Sequence, residues 1–391
     1  MVRVLTLMTL VAGTAACGDP CGESGTTCTL LGTGQAGGNP DETDASESLL
    51  YGPMDVELGG EQAGTFFVAD WNNHQIKRVI DGQVEIVVGT HFLGDGDPDF
   101  NERIAPGVPG DQVALNHPTQ LEWNPVTGRL LLPSWHNHRV REWDPATGNS
   151  LVVAADTDPN DGNGANAGFA GDGGPAADAL MAFPNSIAID PSDGSFWLLA
   201  QRNGRIRKVA ADFSLIETMA GNGEEGYAGD GGAALDASFH FWDYTDLQPE
   251  PAGAVAHDGD GHLYIADTCN HAIRVIDLQA GTIDTVAGTG EHRGPPGSPC
   301  DPDQLCFPHD VEVGPDGLLY IADTGNHRVR ALDPVTGELT EIAGTGVPAD
   351  GADGVLATET ALDRPYGVDV ADDGTVYIAD TYNHRIRMVI P

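Results

Sequence analysis

Short segments of alternating apolar and polar residues recur along the chain, separated by turns rich in Gly, Pro and Asp. Residues 308–317 show the pattern, with Pro-His-Asp-Val-Glu-Val followed by the turn Gly-Pro-Asp-Gly. An alternation with period two is typical of a β-strand with one buried face. Three more segments of this kind follow before the next such Pro, so the pattern predicts units of four short strands.

One segment within these units recurs six times. Residues 322–330 read Ala-Asp-Thr-Gly-Asn-His-Arg-Val-Arg, and residues 379–387 read Ala-Asp-Thr-Tyr-Asn-His-Arg-Ile-Arg. The third copy departs most, with Ala200 in place of Asp and Gly204 in place of His. Because successive copies lie 56 to 67 residues apart, the repeat covers nearly the whole chain and determines its architecture. The Asn that the copies share stands at Asn73, Asn137, Asn203, Asn270, Asn326 and Asn383.

Repeated units of four short strands are typical of β-propellers, in which each unit forms one blade of a closed ring. The Asn-His-x-Ile/Val-Arg segments resemble NHL repeats, and the chain as a whole resembles a six-bladed NHL propeller. This resemblance implies an all-β fold of six four-stranded antiparallel blades over residues 27–391. A fold of this kind carries many unrelated functions, so the function has to be inferred from its sites.

The two ends of the chain predict how the ring closes. The sixth unit stops at Pro391 after three strands, so its outer strand is missing. Residues 28–34, Cys-Thr-Leu-Leu-Gly-Thr-Gly, match the outer strand of another unit at residues 285–290, Thr-Val-Ala-Gly-Thr-Gly. We therefore predict that residues 27–32 supply the outer strand of the last blade.

The N-terminus predicts an export signal over residues 1–16, in which Arg3 is followed by a short apolar run and by small residues. The stretch 14–17, Thr-Ala-Ala-Cys, resembles a bacterial lipoprotein signal, which implies lipidation of Cys17 and anchoring to the cell envelope. Its Thr departs from the Leu that this family prefers, so cleavage to a secreted form stays open. In either case residues 17–26 form a tether and the mature chain leaves the cytoplasm.

The other cysteines suit an oxidising compartment. Their close spacing predicts two disulfides that staple short loops, Cys21–Cys28 and Cys300–Cys306, and leaves Cys269 over. Because no C-x-x-C pair is present, the cysteine pattern does not favour a metal site.

Charge is distributed unevenly over the repeat. The chain has 18 Lys and Arg against 59 Asp and Glu, a formal net charge of −41, and phosphate binding needs clustered basic residues, so nucleic acid is not expected as a partner. Most of the Lys and Arg fall on the predicted third strand of the blades, where pairs such as Arg328 and Arg330 share one face. We expect them to lie against or beside the neighbouring blade and to pair with carboxylates, which leaves the loops acidic. The candidate partners are Asp70, Asp267, Asp323 and Asp380.

A His follows the shared Asn in five of the six copies. These residues occupy the same tight turn of different blades around the ring, so they cannot converge on one metal ion. We interpret them as residues that stabilise the turn. They are His74, His138, His271, His327 and His384.

The connections between predicted blades are long, rich in Gly, and expected on the same face as the Asp-x-x-Asn-His turns. Long loops on a rigid scaffold commonly carry function. Residues 156–162, Asp-Thr-Asp-Pro-Asn-Asp-Gly, place oxygen ligands at alternating positions before a Gly turn, as calcium loops do. Ala167 stands where a closing carboxylate is expected, so a calcium site and a solvated acidic loop both remain open. The candidate ligands for Ca²⁺, the one cofactor this pattern suggests, are Asp156, Asp158, Asn160 and Asp161.

The inner strands supply candidates for a site at the mouth of the central channel. The chain resembles peptidylglycine amidating lyases in fold, which implies zinc-binding His residues after the Pro that opens several inner strands. Only His309 matches, whereas a zinc site needs three protein ligands. A resemblance to gluconolactonase-like propellers implies axial Ca²⁺ held by inner-strand oxygens, with Asp369 among them. The candidates for binding at the mouth are Asp55, Asn185, His309, Asp310 and Tyr366.

Together these patterns predict a monomeric binding or scaffold module that recognises a protein or a carbohydrate outside the cytoplasm through its long-loop face. The sequence shows no nucleophile–His–Asp set and no phosphate-binding Gly loop, which favours a role other than catalysis. The alternative is a metal-dependent lyase or lactonase that uses Zn²⁺ or Ca²⁺ at an axial site. Membrane contact is expected only through a lipid on Cys17.

Overall fold

The computed structural model describes residues 23–39, 43–60, 62–94, 96, 101–155, 167–241, 251–290 and 300–391. These residues form six antiparallel β-sheets joined by loops and three-residue 3-10 turns, which confirms the predicted all-β six-bladed propeller. Some predictions fall outside the described residues and remain predictions. They concern residues 1–22 with Cys17 and Cys21, and the calcium ligands Asp156, Asp158, Asn160 and Asp161.

The strands are short, with two to seven residues each. In chain order they are β1 Thr27–Leu31, β2 Thr43–Asp44, β3 Pro53–Leu58, β4 Phe66–Asp70, β5 Gln75–Ile80, β6 Gln83–Val88, β7 Val108–Pro109, β8 Glu122–Asn124, β9 Arg129–Ser134, β10 Arg139–Asp144, β11 Asn149–Ala154, β12 Pro184–Ile189, β13 Phe196–Ala200, β14 Arg205–Val209, β15 Ile216–Ala220, β16 Gly232–Ala233, β17 Ala254–His257, β18 His262–Asp267, β19 Ala272–Asp277, β20 Thr282–Gly288, β21 Pro308–Val313, β22 Leu319–Asp323, β23 Arg328–Leu332, β24 Leu339–Ala343, β25 Pro365–Val370, β26 Val376–Asp380 and β27 Arg385–Val389.

Each sheet is one blade, and we number the blades 1 to 6 in the order of their Asn-His segments. In blades 1 to 5 the four main strands follow one another in chain order from the axis outward. The innermost strands β3, β8, β12, β17, β21 and β25 contact one another in a closed circle, so they line a central channel. Blades 1, 2 and 4 carry a fifth, two-residue outer strand (β2, β7 and β16), which the sequence did not predict.

The N-terminal strand closes the ring as predicted. β1 pairs antiparallel with β27, with Thr27 opposite Val389 and Cys28 opposite Met388. Blade 6 therefore consists of β25, β26, β27 and β1 from the axis outward. Because the first and last strands of the chain share one sheet, opening the ring requires the loss of a complete β-ladder.

The apolar cores lie between neighbouring blades because the blades pack face to face. Leu131 of blade 2 belongs to the same buried cluster as Ile187 of blade 3. At the seam of the ring, Leu31 and Ile386 of blade 6 share a buried cluster with Val68 of blade 1. Side chains of a strand alternate between the two faces, so each blade contributes to the core on either side.

The repeated Asp and Asn fasten the 3-10 turn to the loop beside it. In blade 6 the Asp380 carboxylate accepts a hydrogen bond from the backbone N–H of Asp363 at 2.8 Å. Asn383 Nδ2 donates to Asp380 and to the carbonyl of Ala349, each at 2.9 Å. Blades 1, 4 and 5 repeat both kinds of contact. The segment is therefore conserved within this chain for a structural reason.

The repeated His residues join neighbouring blades. His384 has a left-handed backbone with φ 53°, and its Nδ1 accepts a hydrogen bond from the N–H of Gly52 in blade 1 at 3.0 Å. Four other residues make the equivalent contact with the next blade at 3.0–3.3 Å, namely His74, His138, His271 and His327. They are distributed around the ring, in agreement with a structural role.

The basic residues of the third strands pair with the repeated Asp residues. The pairs, with their N–O distances, are Lys77–Asp70 at 2.7 Å, Arg274–Asp267 at 3.5 Å, Arg330–Asp323 at 3.2 Å and Arg387–Asp380 at 2.6 Å. These pairs lie within one blade. Others hold the preceding long loop to its blade, such as Arg141–Glu102 at 2.6 Å and Arg207–Asp172 at 2.5 Å. The predicted pairing with the repeated Asp residues is thus confirmed, and the ion pairs named here link strands and loops of one blade. Arg78 of blade 1 lies over the Trp143 ring of blade 2, as expected for a basic residue beside the neighbouring blade.

The cysteines agree with the predicted pattern where they are described. Cys300 and Cys306 form a disulfide. Cys269 is half-buried and present as a thiol. Cys28 is disulfide-bonded, but its predicted partner Cys21 lies outside the described residues, so that pairing stays a prediction.

Candidate functional site

The mouth of the central channel lies on the face that carries the long loops. The loop that enters a blade ends beside the 3-10 turn of that blade. The N–H of Asn72 donates to the carbonyl of Tyr51 at 3.0 Å, and the N–H of Tyr382 donates to the carbonyl of Asp363 at 3.2 Å. Loops and turns therefore surround the start of the inner strands, as the sequence predicted.

A pocket of about 350 Å³ opens at this mouth. Tyr51 and Tyr382 are 44% and 46% exposed at its rim, whereas Tyr366 is buried deeper. Pockets of this size with aromatic walls are typical of small-molecule sites, and they also accept single side chains of a larger partner. Its rings are Tyr51, Trp71, His117, His136, Tyr366, Tyr382 and His384. We call this space the mouth pocket.

A second cavity of about 30 Å³ lies deeper, and we call it the channel cavity. It shares Met54, Pro251 and Tyr366 with the mouth pocket, so the two spaces are neighbours along the axis. All five residues that the sequence nominated for the mouth line this cavity: Asp55, Asn185, His309, Asp310 and Tyr366. The structure thus brings them together.

Channel-facing side chains hold the inner strands to each other. Two tiers follow from the period-two alternation of those strands: an upper tier with Asp55, Gln120, Ser186 and Asp310, and a lower tier with Glu57, Glu122, Glu312 and Asp369. In the upper tier, Asp55 accepts a hydrogen bond from Leu121 N–H at 2.7 Å, and Asp310 accepts one from Val368 N–H at 2.9 Å. Gln120 and Ser186 accept equivalent bonds from the next inner strand. These bonds satisfy N–H groups at the inner edge of the sheets.

The lower tier repeats this arrangement two residues further along. Glu57 accepts a hydrogen bond from Trp123 N–H at 2.8 Å, and Glu122 accepts one from Ile189 N–H at 3.2 Å. Asp369 of this tier was among the residues predicted from the sequence, whereas the glutamates were not. The signal was available, because Pro-x-Asp-Val-Glu occurs at residues 53–57 and again at 308–312.

Burial raises the pKa of every carboxyl group in the two tiers. It raises the pKa of Asp310 to about 7, that of Asp369 to about 6 and that of Glu122 to about 8. The pKa values of Asp55, Glu57 and Glu312 lie well above their usual range for the same reason, and neighbouring carboxylates raise them further. In the described residues no Lys, Arg or His forms an ion pair with any of the six. The channel is therefore a narrow space that lacks a positive charge to balance its acids.

A cluster of imidazole rings forms one wall of the mouth pocket. His117 Nδ1 lies 2.8 Å from His136 Nδ1, and the His117 ring stacks 4.5 Å from the Trp71 ring, centroid to centroid. Burial, with a smaller contribution from nearby His residues, lowers the pKa of His117 to about 3 and that of His136 to about 4. At neutral pH the cluster is thus uncharged. No sequence motif predicted this cluster, because His117 and His136 of blade 2 meet Trp71 and His74 of blade 1 only when the blades pack.

Within the ranges that the structure covers, no group of three or more His, Cys, Asp and Glu is arranged to hold a metal ion. His309 lines the channel cavity as the single match to the lyase pattern. The calcium hypothesis for Asp156, Asp158, Asn160 and Asp161 concerns residues outside those ranges. Among the helical elements described, none has the length and apolar character needed to cross a membrane.

Comparison with protein families places NHL repeats at residues 249–276, 305–332 and 362–387, in blades 4, 5 and 6. Protein SUPPRESSOR OF QUENCHING 1, chloroplastic, from Arabidopsis thaliana is 26% identical over 290 residues. NHL repeat-containing protein 2 from Homo sapiens is 30% identical over 159 residues, and Teneurin-m from Drosophila melanogaster is 26% identical over 381 residues. These alignments cover 71%, 36% and 90% of this chain but only 25%, 20% and 12% of the relatives. The chain thus spans a quarter or less of their length.

Solved structures agree on the fold. A protein of unknown function from Bacteroides thetaiotaomicron VPI-5482 matches with a TM-score of 0.64 at 13% identity, over 93% of this chain and 75% of that one. An auxiliary nutrient binding protein from Bacteroides ovatus ATCC 8483 matches with a TM-score of 0.61 at 14% identity, over 94% and 76%. Identity at this level indicates a shared architecture alone.

Proposed function

We propose that this chain, a six-bladed β-propeller that carries NHL repeats, is an extracytoplasmic binding module that takes its ligand at the mouth pocket. The observation that carries the proposal is the pocket itself, about 350 Å³ in volume and walled by aromatic and imidazole rings at the centre of the long-loop face. Aromatic rings offer large apolar contact areas with little loss of side-chain entropy. Such a surface suits a protein segment or a sugar.

The scaffold around the pocket is rigid, which favours binding without large rearrangement. Thr381 Oγ1 donates to the carbonyl of Pro53 at 2.7 Å, so the turn of blade 6 is fixed to the inner strand of blade 1. On the other side, Trp135 Nε1 donates to Gln201 Oε1 at 2.6 Å between blades 2 and 3. A pocket held in this way loses little conformational freedom when a ligand enters.

The proposed setting follows from the N-terminus. Lipidation of Cys17 would hold the propeller at the cell envelope, and residues 18–26 would serve as a tether before β1. Cleavage to a secreted form would leave the same binding face in solution. Metabolic labelling with a lipid precursor in wild type and in Cys17→Ser separates the two: labelled wild type with unlabelled variant supports the anchor.

The pocket variants Trp71→Ala and Tyr382→Ala test the binding function. Wild type, both variants and the control Val335→Ala are screened as full chains against immobilised peptides and oligosaccharides. Val335 is 91% exposed on the turn between β23 and β24, at the opposite end of the strands from the 3-10 turns. We expect each pocket variant to bind any ligand found in the screen at least about tenfold more weakly than wild type, because truncation of a central aromatic residue typically costs that much affinity. The control should bind as tightly as wild type. Hits that bind all four proteins equally would rule out the mouth pocket.

A metal-dependent lyase or lactonase is the second candidate. Its support is that His309, Asp310 and Asn185 line one cavity beside a pocket that could admit a substrate. Elemental analysis of the purified full chain distinguishes the candidates. Stoichiometric zinc would favour the enzyme, calcium would be compatible with both, and a metal content below stoichiometry would favour the binding module.

A further inference from the structure

The floor of the mouth pocket is rich in hydrogen-bond acceptors. The channel cavity beneath it is lined by the carboxylates of Asp55 and Asp310, each 5% exposed, and by Asn185, which is 6% exposed. Neither carboxylate forms an ion pair with a described residue. When ionised, each carboxylate has two oxygens with about four acceptor sites. The bonds from backbone N–H groups, and the 3.5 Å bond from Gln120 Nε2 to Asp310, satisfy only part of that capacity.

Asn185 is an independent indication that a hydrogen-bond donor of a ligand lies at this floor. Its Nδ2 donates to the carbonyl of Gly253 at 2.6 Å, and a carbonyl can only accept, so this contact fixes the orientation of the amide. Asn185 Oδ1 is consequently the atom left over, and it is buried without a hydrogen-bond partner. A buried acceptor without a donor is costly, so its retention at a cavity points to a missing group.

The missing group is positively charged. Burial disfavours the ionised form of each aspartate, and the charge of Asp310 further opposes the ionisation of Asp55. A cation between them would remove both penalties, whereas an anion would add a third like charge. The aromatic wall of the mouth pocket is suited to a cation as well, because the faces of Trp71 and Tyr366 attract positive charge, whereas Arg364 already lies over the ring of Tyr382.

The dimensions and the chemistry of the cavity select among cations. A volume of about 30 Å³ holds a group of roughly the size of one water molecule, which admits an ammonium but not a planar guanidinium. A quaternary ammonium has no N–H to donate, whereas a primary ammonium has three donors for the acceptors of Asp55, Asp310 and Asn185. The described lining also includes Thr119, Gln120, Ser186 and His309, but among the described residues no group is arranged to hold a metal ion. Met54 and Pro251 provide apolar walls for the methylene stem above.

We propose that the mouth pocket binds a lysine side chain of a protein partner, with its ε-ammonium in the channel cavity between Asp55, Asp310 and Asn185 Oδ1. This inference rests on the proposed binding function and specifies its partner. The stem of the lysine lies along the aromatic walls, and the formal charge of −41 attracts a basic partner to the pocket.

Two blocked tripeptides test the proposal by calorimetry on the full chain: acetyl-Gly-Lys-Gly-amide and acetyl-Gly-norleucine-Gly-amide. They differ only in the ammonium group. We expect the lysine peptide to bind at least about tenfold more tightly, as is typical of charge-assisted hydrogen bonds. Equal binding of the two peptides would overturn the ammonium site, while the binding function would stand if Trp71→Ala weakened both. If neither peptide binds, the ammonium site is also overturned. The screen of immobilised peptides and oligosaccharides with Trp71→Ala and Tyr382→Ala would then test the binding function separately.

The double variant Asp55→Asn/Asp310→Asn removes the charge but keeps side chains that can accept the same backbone N–H bonds. We expect it to fold, checked by its melting temperature, and to bind the lysine peptide no more tightly than the norleucine peptide. Asp372→Asn, at an exposed turn, is the matched control and should retain the wild-type preference. Calcium chloride is titrated alone as a further probe. Calcium binding that excludes the lysine peptide, and that the double variant abolishes, would reassign the cavity to a metal ion.

Discussion

Asp369 on β25 accepts a hydrogen bond from the backbone N–H of Leu58 on β3 at 2.6 Å, although the two residues are 311 positions apart. This bond crosses the seam where blade 6 meets blade 1. It belongs to the lower tier of channel carboxylates, in which Glu57 and Glu122 bridge neighbouring blades in the same way. The acids of the channel thus have a structural role independent of any ligand.

Removal of this carboxylate is expected to destabilise the seam. Asp369→Ala leaves the N–H of Leu58 without its acceptor, which should lower the free energy of unfolding by about 1–3 kcal/mol. Asp369→Asn keeps an acceptor and should cost less. The measurement is urea denaturation, with Asp372→Ala as the exposed control, which should stay within about 0.5 kcal/mol of wild type. An Ala variant as stable as this control would contradict the role of the bond.

The closing strand offers a second prediction. Leu31 on β1 is fully buried against Val68 and Ile386, whereas its neighbour Leu30 is only partly buried. Leu31→Ala should therefore cost about 2–5 kcal/mol, and Leu30→Ala clearly less. Deletion of residues 18–34 removes the whole strand and should lower the melting temperature sharply. An unchanged melting temperature after the deletion would show that the ring is not held by β1.

Arg387 provides a third prediction, because it is fully buried among three carboxylates. It lies 2.6 Å from Asp380, 2.7 Å from Asp350 and 3.2 Å from Asp353. Arg387→Met would leave buried Asp380 without its cation, a change that typically costs about 3–5 kcal/mol. Arg385 on the same strand is partly exposed, and Arg385→Met should cost no more than about 1 kcal/mol. Equal losses in denaturation experiments on the two variants would contradict this assignment.

The fold was predictable from the sequence because one segment repeats. Asn73 and its five equivalents each donate a hydrogen bond from the side-chain amide to a carbonyl of the preceding loop, so a single interpretation applies six times. Thr27 and its neighbours could be assigned to the last blade because their sequence matches an outer strand. Asp55 and Asp310 were nominated because the resemblance to gluconolactonase-like propellers implies oxygen ligands on the inner strands.

The rest of the site depends on how blades stack, which a linear pattern does not show. The Glu57 carboxylate accepts a hydrogen bond from the backbone N–H of Trp123, which lies in the next blade, 66 residues further along the chain. Trp71, His117 and His136 come from two blades and meet only after those blades pack. The short outer strands β2, β7 and β16 form from loop residues without strand-like alternation, so their pairing depends on the edge that the blade presents.

The channel acids predict an unusual dependence of stability on pH. Burial raises the pKa of Glu122 to about 8 and that of Asp310 to about 7, whereas both groups ionise near pH 4 in an unfolded chain. Above pH 4 the folded state therefore holds protons that the unfolded state has lost, so this contribution to stability falls as pH rises toward 8. The buried histidines have the opposite effect on stability. Because the pKa of His117 is lowered to about 3, its contribution to stability rises with pH, and it no longer changes above about pH 7, where the histidines of the unfolded chain are also neutral.

Between pH 7 and 8.5 the acids alone should govern the trend. We expect the free energy of unfolding to fall across this range, by at most about 1.4 kcal/mol per pH unit for each group that titrates. Glu122→Gln keeps an acceptor for the N–H of Ile189 and removes the charge, so it should flatten the decline. Glu217→Gln, on the exposed face of β15, is the matched control and should follow wild type. Urea denaturation at several pH values measures the slopes, and equal slopes in wild type and Glu122→Gln would show that Glu122 does not retain its proton in the folded channel.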